Sequence, residues 1–546
     1  CILCFRCVRV CDEGMDVKAL GVGQRGSQSV IIPNGEDHLD CEECGMCIDI
    51  CPVGALTSGT YRYKTRPWEM QHVGTICTHC SNGCKTTLGV RNDKVVRGNN
   101  RDRSGINGEF LCMKGRYAFD FGDHPERLQT PLVRKNGKLM EVAWSEALEA
   151  IAIRFQETKA RQGKFGVIGS NHTTNEENYF LQKFARQALG TNNIDHHRTG
   201  DVVSLLSALN GRTDGLASTG DLYDRKAVLI IGSDLSQQHP FLAFQIRANY
   251  RHHAAHIYTV TPGQVRESKH SAASLIAAPG TEMDAVESIR AKLAAEPELV
   301  ILFGDTIKGA AVRKLVEFGD SLGIPVKYVA LVDYSNSRGA SDMGLLPNLG
   351  PGYQPVAEPG LAYDEILAAP DLDVLWVVGA NPLKAARLAS SSAFVIVQEM
   401  FLKETGERAD VILPAASAYE KNGTVTNVCG EVQRLKAGPK TMGTKPDLEI
   451  IGLLAKEMGV KDLGIWLPDK VNSEIRATVH GYNISLAVVA SGGAAQTAPL
   501  NGHLPEGMRP DLIRSANDTL FTSGTLGRYS KMLSSILESP GALYQG

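Results

Sequence analysis

At 546 residues with 43% hydrophobic content, the chain is too long for one core and predicts three to five domains. Its net charge of -3, from 57 basic and 60 acidic residues, excludes a general field that would draw it to nucleic acid or an anionic membrane. No run approaches the roughly 18 to 20 apolar residues of a membrane-spanning helix, so any membrane association is expected to come through partners.

Twelve of the thirteen cysteines precede residue 113, and only Cys429 follows. Clustering of this kind ahead of a cysteine-poor body favours metal binding in a reducing compartment over a disulfide framework. The chain opens on cysteine rather than methionine, which implies a processed, truncated or partial form. A lipid-modified Cys1 is disfavoured, because a thioether could not serve as a thiolate ligand.

Cys1, Cys4, Cys7 and Cys11 form C-x2-C-x2-C-x3-C, and Cys41, Cys44, Cys47 and Cys51 repeat it before Pro52. In such a double run the fourth cysteine of each ligates the other cluster. The spacing therefore assigns one 4Fe-4S cluster to Cys1, Cys4, Cys7 and Cys51, and a second to Cys41, Cys44, Cys47 and Cys11. Paired Cys4 zinc sites are the alternative, but zinc would use two pairs and leave the third cysteine of each run without a purpose.

Between the runs, Gly21 to Gly26 spells a formal G-x-G-x-x-G. Without a buried strand before it or an amphipathic helix after it, dinucleotide binding is not expected there. Ser29 to Ile32, followed by Pro33-Asn34-Gly35, reads as a small hairpin. Cys77, Cys80, Cys84 and Cys112 then make a third Cys4 site, with Leu88 to Arg97 as a small β-unit between them. His79 is expected at the surface or behind the ligands, since four thiolates complete the site.

From about Pro131 short apolar runs alternate with helical stretches, the pattern of parallel sheets covered on both faces. The strands expected are Phe165 to Gly169, Ala227 to Gly232, Leu299 to Gly304, Val326 to Leu331, Val374 to Gly379, Phe394 to Gln398 and Val411 to Pro414. Helices are expected over Trp144 to Glu157, Phe241 to His252, Ala311 to Leu322 and Leu448 to Met458. Turns at Gly232-Ser233-Asp234 and Gly379-Ala380-Asn381-Pro382 end two of the strands and mark where a nucleotide-like group would bind. The tail after Pro446 reads as mixed structure, and Cys429 as a free buried thiol.

The chain resembles the family of large iron-sulfur subunits of NADH:quinone oxidoreductase, respiratory complex I. The matching segments are Cys1 to Arg9, Cys51 to Leu56, Arg66 to Glu69, the Cys77 to Cys112 motif with Lys114-Gly115, Asn192 to His196 and Ala409 to Ala415. The resemblance implies an α/β architecture. A ferredoxin-like domain with two 4Fe-4S clusters would span 1-65, and a Cys4 4Fe-4S domain 66-130. A molybdopterin-oxidoreductase-like body, without cofactor, would span 131-445, and a mixed C-terminal segment 446-546. It further implies an electron-transfer subunit with no substrate-converting site of its own, relaying single electrons from flavin in a partner toward quinone. Cys1, Cys4, Cys7 and Cys51 match the family's electron path, and Cys77, Cys80, Cys84 and Cys112 an off-path cluster. The set Cys11, Cys41, Cys44 and Cys47 is a departure, since most such subunits lack it. Upstream 2Fe-2S and further 4Fe-4S domains are usual in the family and absent from this sequence. Implied partners are the FMN/NADH-binding, 2Fe-2S, ferredoxin-like and quinone-site subunits, with no nucleic acid and no membrane span. The implied place is the cytoplasmic face of the bacterial inner membrane.

The same architecture is shared with formate dehydrogenase α subunits, which gives the alternative function. There the segment matching Asn192 to Val202 supplies a cysteine or selenocysteine to molybdenum. Here it has no thiol, Asp201 falls near the ligand position and Val202 has no proton to move. Molybdopterin is therefore not expected, and Asp195, His196, His197 and Asp201 are expected to form a structural polar cluster.

Overall fold

The computed structural model describes residues 1–35, 39–100, 102–464, 466–490, 493–497 and 524–537. Each N-terminal cysteine run meets a short helix: Cys7 lies in Arg6–Arg9, Cys11 in the π-helical turn Val10–Gly14, and Cys47 in Met46–Ile50. Between them Leu20–Gly23 and Val30–Pro33 pair as an antiparallel hairpin. Its turn is not at Pro33-Asn34-Gly35 as expected. The chain reverses between the strands, where Gln24 and Gly26 take positive φ, and Pro33 ends the second strand opposite Leu20. Asn34 instead folds back, its side-chain amide donating to the Lys18 carbonyl at 2.5 Å. The Gly-rich motif is thus strand and hairpin turn, not a strand-to-helix phosphate loop.

Gln71–Ile76, Lys85–Arg91 and Lys94–Asn99 form a three-stranded antiparallel sheet that contains the expected β-unit at 88–97. Cys77 leaves the first strand, Cys84 leads into the second, and the Cys77 N–H donates to the Cys84 carbonyl at 2.8 Å. The loop carrying three thiols is therefore closed at its base by sheet pairing.

The body holds two larger sheets. One is parallel throughout, in the order Ser271–Ile276, His256–Thr261, Ala227–Ile231, Leu299–Phe303, Val326–Ala330. The other runs Lys138–Glu141, Leu132–Lys135, Val411–Pro414, Phe394–Glu399, Leu372–Val378, Lys164–Ile168, Ile194–Asp195, parallel except for the hairpin at its edge. Period-2 geometry divides its central strand between two cores. Val374, Trp376 and Val378 pack on one face with the helix Trp144–Ala160, while Leu375 and Val377 pack on the other. Double-sided burial explains why these strands read as unbroken apolar runs.

A third small sheet joins Gly423–Thr426, Glu431–Leu435 and Ala495–Gln496. The helix Asp447–Glu457 follows, as expected for the start of the tail. Of the rest of that tail, 465, 491–492, 498–523 and 538–546 lie outside the described residues. Tyr529, between the helices Gly524–Arg528 and Lys531–Leu537, stacks on Phe401 with ring centroids 3.7 Å apart. Ser530 donates to Asp120 at 2.5 Å, which fixes this last piece against the turn Asp120–Asp123 that follows Cys112.

Candidate iron-sulfur sites

In the first cysteine set, Cys1 and Cys4 are exposed and Cys7 is buried. Burial raises the Cys7 thiol, and the Cys4 and Cys51 thiols act on it in the same direction. For Cys51 burial raises the thiol, but the backbone of Val53, Leu56 and Ala55 together outweighs it, so the thiol is lowered. Cys4, Cys7 and Cys51 are thus electrostatic neighbours.

In the second set burial pushes Cys44 up to about 12 and Cys47 up to about 11. Cys11 and Cys7 add to the shift of Cys47, while Cys47 and Cys41 add to that of Cys44. Cys41 is raised by burial, then by Glu43, with Cys47 contributing. Backbone N–H groups point at sulfur here: Ala19 donates to Cys11 Sγ at 3.2 Å and Glu43 to Cys41 Sγ at 3.4 Å. Cys7 and Cys47 lie where the first and second sets meet.

Cys77, Cys80 and Cys84 are buried and Cys112 is partly so. Burial raises Cys84 well above the usual thiol range, with Cys80, Cys112 and Cys77 adding to it. Cys77 is raised by burial and by Cys80 and Cys112. Among the described residues, no three His, Cys, Asp or Glu side chains are set to hold a single metal ion. Four thiolates on one zinc, at about 2.3 Å each, would crowd to about 3.8 Å from one another.

The surroundings of this third set were not legible from spacing. Lys114, two residues past Cys112, is 1% exposed and its Nζ has no hydrogen-bond partner. A buried ammonium without a counter-charge costs several kcal/mol. Its charge acts on Cys77 and Cys80, favouring their thiolates. An all-thiolate donor set beside an uncompensated cation suits an anionic cluster, so the residues present fit 4Fe-4S. His79 is not at the surface. It is fully buried, held down to about 3 by burial, and its Nε2 donates to the Ala118 carbonyl at 2.7 Å. His239, likewise buried and held to about 3 by burial, has Nδ1 3.2 Å from Asn82 Oδ1 in the Cys80 to Cys84 loop. The only signals for these residues were Lys114's place after Cys112 and the polar loop between the cysteines.

Asp195, His196, His197 and Asp201 do not form the single structural polar cluster expected, because Asp201 lies apart. Asp195 pairs with Arg198 at 2.7 Å and accepts the Tyr363 N–H, and His196 lies between Asn171 and Ser341 at 2.7 and 3.0 Å. Asp201 stands apart and caps the helix Val202–Leu209. One oxygen accepts the Ser204 N–H at 3.0 Å and the other the Gly309 N–H at 2.7 Å. The turn at Gly379 borders a crevice of about 40 Å³ at the carboxyl ends of the seven-stranded sheet, lined by Ser170, His172, Glu399, Lys421 and Asp447. Ser170 Oγ donates to the Gly379 carbonyl across it at 2.9 Å. At the Gly232 turn an added Cβ would lie 2.5 Å from Thr306 Oγ1, so this end is filled by the chain itself. The carboxylate nearest the molybdenum-ligand position, Asp201, is thus engaged at both oxygens.

Clustered thiols thus stand ahead of a doubly covered parallel body. The family described as molybdopterin oxidoreductase matches residues 127–457, more than half of the chain, and the chain belongs to it. Residues 1–57 match the NADH-quinone oxidoreductase subunit 3 ferredoxin-like domain, and 70–124 the molybdopterin oxidoreductase Fe4S4 domain. The chain is similar to the NADH-quinone oxidoreductase G-subunit 2 of Rhizobium meliloti, 29% identical over 529 residues, covering 83% of this chain and 62% of that protein. It is also similar to F420-dependent formate dehydrogenase 2 subunit alpha of Methanococcus maripaludis, 30% identical, covering 72% of this chain and 71% of that protein. Acetylene hydratase from Pelobacter acetylenicus shares the fold, with a TM-score of 0.56 at 14% identity over 86% of this chain and 79% of that one. The chain spans 62–64% of the length of its first NADH-quinone relatives. Among the described residues no helix is long and apolar enough to cross a membrane.

Proposed function

We propose that the chain carries single electrons within an NADH:quinone oxidoreductase, on three 4Fe-4S clusters, and converts no substrate itself. Cys1, Cys4, Cys7 and Cys51 would hold the first, Cys11, Cys41, Cys44 and Cys47 the second, and Cys77, Cys80, Cys84 and Cys112 the third. These groups would supply one-electron chemistry at potentials set by burial, nearby charge and hydrogen bonds to sulfur. The chain's own residues bury Cys77, Cys80 and Cys84 and partly bury the second set, aim the Ala19 and Glu43 N–H groups at sulfur, and place the Lys114 ammonium beside the third. That ammonium carries the reading, because a cluster's negative charge would compensate it. On this reading the divisions are 1-65, 66-130, 131-445 and 446-546. The body is then a docking platform for the flavin-bearing, 2Fe-2S, ferredoxin-like and quinone-site partners, at the cytoplasmic face of a bacterial inner membrane.

The formate dehydrogenase relatives favour a second reading, in which the body carries a pterin-bound molybdenum. The engaged carboxylate of Asp201 stands against it. Elemental analysis separates the two: about twelve irons per chain without molybdenum supports electron transfer, and stoichiometric molybdenum overturns it. Within the assembled complex, Cys7→Ala is expected to abolish NADH:quinone turnover, and near-normal turnover with that cluster's signal absent would contradict the assignment.

A further inference from the structure

Resting on the electron-transfer reading above, we infer that the segment Cys112 to Tyr117 joins the second and third cysteine sets into one redox unit, with Arg116 as its positioning residue. Cys112 opens the helix Met113–Tyr117. Within that helix Gly115 packs against the third set, where an added Cβ would lie 3.6 Å from Cys77 Sγ. The very next residue reaches the second set. Arg116 Nε donates to the Cys44 carbonyl at 2.5 Å, Nη2 lies 3.1 Å from Met46 Sδ, and Nη1 pairs with Asp49. Arg116 is 3% exposed, so this fan of contacts is made out of water.

Gly45, between Cys44 and Cys47, makes the approach possible. It sits at φ +68°, and an added Cβ would come within 2.2 Å of the Tyr117 hydroxyl and 2.5 Å of Arg116 Cδ. The Tyr117 hydroxyl therefore lies against the Cys44 to Cys47 loop of the second set. From the Cys77 sulfur to the Cys44 carbonyl the chain therefore offers a packed route one residue long. The helix Arg6–Arg9, which carries Cys7, likewise packs against Met46–Ile50, which carries Cys47, so the first two sets adjoin. The family resemblance would make the third site a dead end. Here the second set, unusual for that family, stands between the third site and the exposed first. Exchange between the second and third sites moves one electron, reducing one group as the other is oxidised. No bond is broken, and the electron comes from reduced flavin or dithionite.

The test uses the cluster-loaded full chain, fully reduced with dithionite and read by low-temperature EPR. The third site's signal is expected to be split and fast-relaxing in the wild type, and to lose both properties in Cys47→Ser. An identical third-site signal in the two proteins overturns the inference. Should Cys47→Ser also lose third-site iron, Arg116→Gln, which keeps all twelve thiols, decides: weaker splitting at unchanged iron content supports it, and unchanged splitting overturns it. Failure of the underlying reading would look different, as a wild-type chain that binds no iron at all.

Discussion

The Asp201 carboxylate accepts the Gly309 N–H at 2.7 Å while its other oxygen caps its own helix at Ser204. A residue that sequence position marks as a candidate metal ligand thus acts as a strut between two loops. Asp201→Ala removes the cap and leaves both N–H groups without that acceptor, and should cost about 1–2 kcal/mol. Urea unfolding of the variant measures it. An unchanged midpoint, or a variant whose bound metals differ from those of the wild type, would count against this role.

Lys114→Met should act with opposite sign on the empty and loaded protein. Without iron the variant gains stability, since an uncompensated buried ammonium is removed. With iron, the third site's potential becomes more negative by on the order of 50 mV, or about 1 kcal/mol for a one-electron couple. Denaturation of the iron-free chain and an EPR-monitored redox titration read the two effects separately. A positive potential shift would contradict the electrostatic account.

Stability should fall on mild acidification. His196 and His239 are held by burial down to about 3, and His172 to about 4, so the folded chain keeps them neutral while the unfolded chain protonates near 6.5. A depressed folded value gives stability that is fully present above the unfolded pKa and is lost as pH falls toward the folded one. Between about pH 7 and 5 each should cost about 2 kcal/mol. His196→Gln, remote from the cysteines, should flatten the profile of unfolding midpoint against pH, and an equally steep profile would remove His196 from the account.

Lys421 lies 3.2 Å from Glu177 and also pairs with Asp447, all three about 3% exposed. Lys421→Met leaves two carboxylates facing each other out of water and should destabilise the body by about 3–5 kcal/mol. Thermal unfolding of the body measures this, and a loss below about 1 kcal/mol would show that water or relaxation compensates the pair.

The sequence alone determined the elements whose cause is local. Unbroken apolar runs such as Leu299–Phe303 and Val374 to Val378 read as strands buried on both faces, and 3.6-residue periodicity placed the helices Trp144–Ala160 and Ala310–Ser321 to within a few residues. The cysteine spacings likewise declare a ligand type, because a short C-x2-C loop limits what four sulfurs can hold. Tertiary structure alone decided what surrounds those sulfurs. His79 went to the interior, Asp201 parted from Asp195, Lys114 was buried without a partner, and Arg116 spanned the gap to Cys44. None of these follows from spacing, because each depends on segments tens to hundreds of residues apart meeting in space, and local pattern carries no record of which distant backbone a side chain will find.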